Sequence, residues 1–308
     1  MSYEGKMLLQ LRMPGRMEVE EALLIALFKH NGVIKEFGLS EEIVSEIADE
    51  FSLNEEQRSA YLETIYRKES RIKKSGLWHR LLFRAADVLA KEKLVSRPTQ
   101  TLKLTNKREW MLTEKGFDKV LELSNIPATQ KEFLPTKSFE VQKVVKKLNE
   151  IKRPIDYDPF DKKKKVFKTS RNTTLRTRGF RQAVIEAYDC KCAVCGLKIY
   201  SPDTLSWEIE AAHIVPNRVK GKDDLWNGLA LCHLHHWAFD VGWFTLLNNF
   251  KIQVSSQIDS LPSGYGKVGN YDLLNSTSND SRILLPDRKE IYPHRNAMKW
   301  HRENIFHQ

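Results

Sequence analysis

Cys192 to Leu246 reads CAVCGLKIYSPDTLSWEIEAAHIVPNRVKGKDDLWNGLALCHLHHWAFDVGWFTL, and the grouping of its cysteines and histidines decides the fold. The stretch holds three of the four cysteines and four of the nine histidines of a 308-residue chain. Cys192-x-x-Cys195 and Cys232-x-x-His235 are two hooks of paired ligands, and together they make a tetrahedral Cys3His set that suits zinc. Such a set has no position left for substrate, so its expected duty is structural. Cys190 competes with His235 for the fourth place. A Cys-x-Cys hook leaves little room for a second pair, so Cys190 is read as a small buried thiol.

Between the hooks, WEIEAAHIVP alternates as a short strand that carries His213 and ends at Pro216. A loop with Gly221 and two aspartates turns the chain back through Trp226-Asn227-Gly228 into Leu229-Ala230-Leu231, giving a two-stranded ribbon. From Cys232 onward His233, His236, Trp237 and Asp240 fall at helical intervals, with Gly242 placed to end the helix. A ribbon and a helix stapled by zinc form the ββα-metal arrangement.

FR at 180 and 181, CAVCG, EAAHI, NGLALC, HHWAFD, GWF and KWHRENIF occur in order, and in these elements the chain resembles HNH endonucleases from about Thr174 to its end. The resemblance implies a divalent-cation-dependent phosphodiester hydrolase using Mg²⁺ or Mn²⁺. By it His213 is the general base, Asn227 orients the base or its strand and loop, and His236 binds the catalytic cation. Many such enzymes place a second cation ligand immediately before the base, where this chain has Ala212. Asp240, one turn after His236, is the candidate to complete the site, with a helix-capping role as the alternative and Glu210 as a weaker option. The Cys-x-x-His spacing assigns His235 to zinc and leaves His236 for the cation, although adjacent histidines allow the reverse. His233 is expected to be exposed.

Outward from this core, Val19, Ala22, Leu23, Ala26 and Leu27 space a first helix ending before Gly32, and Ile43, Ile47 and Ala48 a second. A third helix, about Ser75 to Lys93, buries Leu77, Leu81, Leu82, Ala85, Val88 and Leu89. Short strands at Leu94-Val95, Thr101 to Leu104 and Trp110 to Leu112 follow, with a turn at Asn106-Lys107-Arg108 and a closing helix from Thr113. Three helices and a basic-tipped hairpin make a winged helix. The LVSRP to WMLTEKG stretch resembles the N-terminal winged-helix domain of Mrr-type restriction proteins. Arg80, Arg84, Lys103, Lys107 and Arg108 are its expected DNA contacts, and a dimerisation or scaffold module is the rival. Trp78 and Trp110 read as packed side chains.

The expected fold class is α+β, in three parts: 1–125 the winged helix for recognition, 126–173 a basic connector, and 174–308 the zinc-stapled HNH nuclease domain. The connector includes a helix from Phe139 to Ile151 and a run of lysines, Lys162 to Lys165, as a candidate phosphate contact. Beyond Leu246 a hairpin turning at Asn248-Asn249, a small β extension from Leu273 to Leu285 and a packed terminal helix with Trp300 are expected. Fifty Lys+Arg against forty Asp+Glu give a net charge of +10, which favours a polyanionic partner. No apolar run is long enough to span a membrane and no secretory signal opens the sequence, so a cytoplasmic protein is expected. The combined expectation is an endonuclease acting on double-stranded DNA, in a setting of restriction of foreign, even modified, DNA, with homodimerisation left open. Its rival is a non-catalytic zinc-containing DNA-binding regulator, which has no need of His213, Asn227 and His236 together.

Overall fold

The computed structural model describes residues 3–38, 41–66, 71–162, 171–202, 206–259 and 281–307. The chain divides into two compact units, Met1–Gln142 and Lys143–Gln308. Lys163 to Lys165, and Leu273 to Asp280 of the expected β extension, lie outside the described residues.

In the first unit α1 (Tyr3–Gln10) precedes α2 (Arg16–Lys29), which buries Val19, Ala22, Leu23, Ala26 and Leu27 as its spacing requires. The Glu18 carboxylate accepts from the Gly15 N–H at 2.7 Å and so satisfies a free donor at the start of α2. Then come β1 (Val33–Lys35), α3 (Glu41–Glu50), α4 (Glu55–Ser59), the hairpin β2 (Tyr61–Tyr66) and β3 (Arg71–Gly76), and α5 (Leu77–Lys91). α5 buries Leu77, Leu81, Leu82, Ala85 and Leu89 as expected, but Val88 is only half-buried; Trp78 donates its indole N–H to Val44 O at 3.0 Å.

β4 (Val95–Ser96), α6 (Pro98–Thr105), β5 (Glu109–Leu112) and α7 (Glu114–Leu123) complete the unit. The three short strands form an antiparallel sheet in the order β1-β5-β4. The strand expected at Thr101 to Leu104 is instead helix α6. Pro98 does not separate two strands but opens the helix, where its fixed φ fits and its missing N–H costs nothing. Thr101 is buried and its hydroxyl donates to Glu109 O, which fastens α6 to β5. Asn106, at φ 60°, ends the helix and begins the expected turn. The β2–β3 hairpin is an insertion that the apolar spacing did not announce.

In the second unit, α8 (Phe139–Glu150) crosses the division between the units and matches the expected helix. α9 (Arg171–Ala187) leads to the turn with Cys192 and Cys195. β6 (Ile209–His213) and β7 (Gly228–Cys232) pair antiparallel with Ile209 opposite Cys232 and His213 opposite Gly228. α10 (His233–Asp240) follows without a break, and Gly242, at φ +81°, lets the chain reverse after it. β8 (Phe244–Leu246) pairs with β9 (Ile252–Val254) across the expected turn, and α11 (Arg295–Asn304) closes the unit. α9 packs so closely on the ribbon that a Cβ on Gly228 would meet Val184 Cγ2 at 2.4 Å, so only glycine serves there.

α11 packs on β8 through His301, which is 1 % exposed and stacks on Phe239 with ring centroids 3.7 Å apart. Its Nε2–H donates to Phe239 O at 3.1 Å, and in the neutral ring its Nδ1 accepts from the Thr245 hydroxyl at 2.9 Å, so both nitrogens have partners without a charge. Burial accordingly pulls its pKa down to about 4. The folded state thus binds this proton less readily than the unfolded chain, so stability falls as pH drops from about 6.5 towards 4. Between pH 7.5 and pH 4.5 the loss from this one group is expected to be about 2–3 kcal/mol. Urea unfolding of the parent and of His301→Gln at both pH values checks this, since the variant should lose that share of the pH dependence; an unchanged difference refutes it.

Candidate active site

The Cys192, Cys195, Cys232 and His235 ligand atoms all lie within 4.8 Å of one another, with His235 Nδ1 3.1 Å from Cys232 Sγ and 3.6 Å from Cys192 Sγ. This spacing lets one metal ion touch all four. Cys195 and Cys232 hold the Cys192 thiol well below its ordinary pKa through hydrogen bonds to its sulfur, which favours the thiolate that a metal requires. His235 rather than His236 enters the set, as the spacing implied. Cys190 lies outside it, half-buried and not buried as expected, at φ 58° where the chain turns after α9.

His213 ends β6 and is mostly buried. Phe180 of α9 stacks on its ring at 4.2 Å with the planes 20° apart, which gives the phenylalanine of the FR pair a specific task. The His213 Nε2 lies 3.1 Å from Asp223 Oδ1. Asp223 is 4 % exposed, and its other oxygen is 3.2 Å from Arg176 Nε. Neither Asp223 nor Arg176 was singled out in the sequence. Asp223 is ten residues from His213 across an irregular loop, so no period links them.

Asn227 is fully buried and clamps that loop. Its side-chain oxygen accepts from Val215 N at 2.8 Å, and its amide donates to Val215 O at 3.0 Å and Lys222 O at 2.9 Å. Of the two expected alternatives, these bonds serve the loop; among the described residues none reaches the His213 ring. Tyr157 adds a second fastening by donating its hydroxyl to Asp224 at 2.6 Å.

On the opposite face of β6, Glu210 shares parity with Ala212 and reaches α10. Its carboxylate is 2.7 Å from His236 Nδ1, while Asp240 approaches the other nitrogen of the ring, Nε2, at 3.6 Å. Burial works against a charged His236, yet the Glu210 hydrogen bond and the Asp240 and Glu210 charges outweigh it and raise the pKa. The same contact lowers that of Glu210, whereas burial raises that of Asp240 against the charges of His236, Arg218 and His213. His213 therefore acts electrostatically on the carboxylate beside His236. Glu210, Asp240 and His236 do not converge as tightly as the cysteine set; among the described residues only Cys192, Cys195, Cys232 and His235 bring three or more ligand atoms together. His233 is exposed as expected and pairs with Glu208 at 2.9 Å.

In the first unit, Arg80 and Arg84 both reach the largely buried Glu4 carboxylate, at 2.9 and 2.6 Å, and Arg108 holds Glu36 with two nitrogens. Lys103 and Lys107 lie on α6 and in the turn after it.

Residues 192–247 match the family described as HNH endonuclease. No curated protein matches the sequence. Among solved structures the chain is similar to one titled modification dependent TagI restriction endonuclease, with 18% identity and a TM-score of 0.29. The similarity covers 41% of this chain and spans 37% of that structure's length. Among the described residues no helix is long and apolar enough to cross a membrane.

Proposed function

We propose that the chain is a metal-dependent endonuclease that cuts double-stranded DNA, with foreign and modified DNA as its targets and the cytoplasm as its setting. The observation that carries the reading is the hydrogen-bond pairing of His213 Nε2 with Asp223 and of His236 Nδ1 with Glu210. A regulator that used the ribbon only for folding would have no use for two imidazoles so oriented.

In this reading His213 takes a proton from water as the water oxygen forms its bond to phosphorus. The bond from phosphorus to the departing 3′ oxygen breaks in the same displacement. His236 and Asp240 would hold Mg²⁺ or Mn²⁺, which when bound supplies charge stabilisation at the phosphate and at the departing oxygen. Glu210 accepts the His236 Nδ1–H and so turns the Nε2 lone pair towards Asp240, as second carboxylates do for metal-bound imidazoles. It thereby compensates on the strand for Ala212, as an orienting group and not as a ligand. Cys192, Cys195, Cys232 and His235 would hold a structural zinc, since three thiolates and an imidazole suit that ion.

The first unit is read as a winged helix that docks on DNA. Helices α2, α3 and α5 around the β1-β5-β4 sheet support this, with the β2–β3 hairpin inserted before α5. Lys103, on α6, and Lys107, in the turn after it, are candidate phosphate contacts. Arg80, Arg84 and Arg108 would have to exchange Glu4 and Glu36 for phosphate. One such site cuts one strand, so a double-strand break would call for two copies of the chain.

The test is a cleavage panel of modified and unmodified phage DNAs with the purified chain and Mg²⁺ or Mn²⁺. Cation-dependent nicking or cutting is expected, strongest on modified DNA. Equal cutting of both removes the modified target, and no cutting of any substrate with either cation removes the enzyme.

A further inference from the structure

We propose that Asp223 is the positioning residue for His213, fixing its ring so that Nε2 carries the hydrogen and Nδ1 the lone pair. This rests on the reading of His213 as the general base, and names the atom that takes the proton. A neutral imidazole has one N–H and one acceptor nitrogen, and a carboxylate can only accept. With Asp223 Oδ1 at 3.1 Å, Nε2 is the donor and Nδ1 is left basic. Among the described residues none is bonded to His213 Nδ1.

The carboxylate is well placed for such a task. Its side chain is 3 % exposed, so water does not compete for it, and the Arg176 guanidinium sits on its second oxygen. The neighbouring backbone is held by Asn227 through Lys222 O and by Tyr157 through Asp224, so the carboxylate cannot drift with the loop. Phe180 fixes the plane of the ring. Once His213 has taken a proton from water, the same carboxylate lies against the imidazolium and stabilises it, as the buried aspartate does in a serine-protease triad. Phe180 and Arg176 of α9 and Asp240 of α10 also act on this pair.

The two histidines would thus carry opposite tautomers. Asp223 reserves Nδ1 of His213 for water, and Glu210 reserves Nε2 of His236 for the cation side. The alternative is that Asp223 serves only as an ion-pair partner for Arg176, with the ring free to choose.

Long-range ¹H–¹⁵N spectra of the full chain labelled at histidine, above pH 8 and assigned with His213→Gln, read the tautomer directly. The Nε2–H form is expected in the parent, and a dominant Nδ1–H form overturns the proposal whether or not the chain cuts DNA. In Asp223→Asn that preference should be lost, with kcat reduced by about 10–100-fold at little-changed KM and unchanged metal content. Asp223→Glu should restore part of both. A parent-like spectrum and kcat in Asp223→Asn also overturn it. If His213→Gln cuts normally, the base assignment fails by itself, and the spectra still decide what Asp223 does.

Discussion

His213→Ala is expected to lower the rate of DNA cutting by about 10²–10⁴-fold while leaving metal content unchanged and lowering the thermal transition by no more than a few degrees. The size follows from losing a positioned proton acceptor, since water must then surrender its proton to bulk solvent. The fold should tolerate the change. Asp223 keeps its ion pair with Arg176, and the Asn227 clamp does not involve the imidazole. Phe180 loses a stacking partner worth about 0.5–1.5 kcal/mol. Single-turnover cleavage with saturating cation measures the rate, and elemental analysis with calorimetry measures the rest. A variant that cuts at the parent's rate removes His213 from the mechanism. One that loses both rate and metal would mean that His213 holds the module together.

What was legible in the sequence was what short-range geometry dictates. Two hooks with three-residue spacing announce a ligand set because both members of each hook must lie on one turn, and the structure brings all four together. The ribbon and α10 followed from periods of two and about four residues. What was not legible depends on loops. Asp223 meets His213 because the chain from Ile214 to Asn227 is folded back by Asn227, and no local rule places those side chains side by side. Glu210 was legible as the weaker option, since it shares a face with Ala212. Its 2.7 Å contact with His236 was not, because it depends on how α10 packs against the ribbon. In the first unit, α6 was missed because Pro98 was read as a break, although proline favours the first turn of a helix as strongly as it disfavours the interior. The hairpin was not legible because the sequence TIYRKESRIKK is mostly polar and offers no sustained apolar alternation.

Cys195→Ala should lose the structural metal and unfold the second unit around it, the largest stability effect expected of any single change in the chain. Cys192 and Cys195 belong to the turn after α9, Cys232 ends β7 and immediately precedes α10, and His235 lies in the first turn of that helix. One ion held by these four would therefore tie the turn, the ribbon and the helix, and the His236 and Asp240 side chains follow on the same helix. Structural zinc contributes about 10–16 kcal/mol in small zinc domains, which equals or exceeds the roughly 5–15 kcal/mol of a whole native domain. Without the ion, buried sulfurs crowd one another with no charge to hold them. Cutting would fail with the fold, so activity is the wrong measure here. The expected result is one equivalent of zinc in the parent, none in Cys195→Ala, and loss of the cooperative thermal transition of the second unit. Cys190→Ala is the control: it is two residues from Cys192 but outside the ligand set, so the variant should keep its zinc. Zinc retained by Cys195→Ala and lost by Cys190→Ala would exchange the two cysteines, and zinc retained by both would remove Cys195 as a necessary ligand.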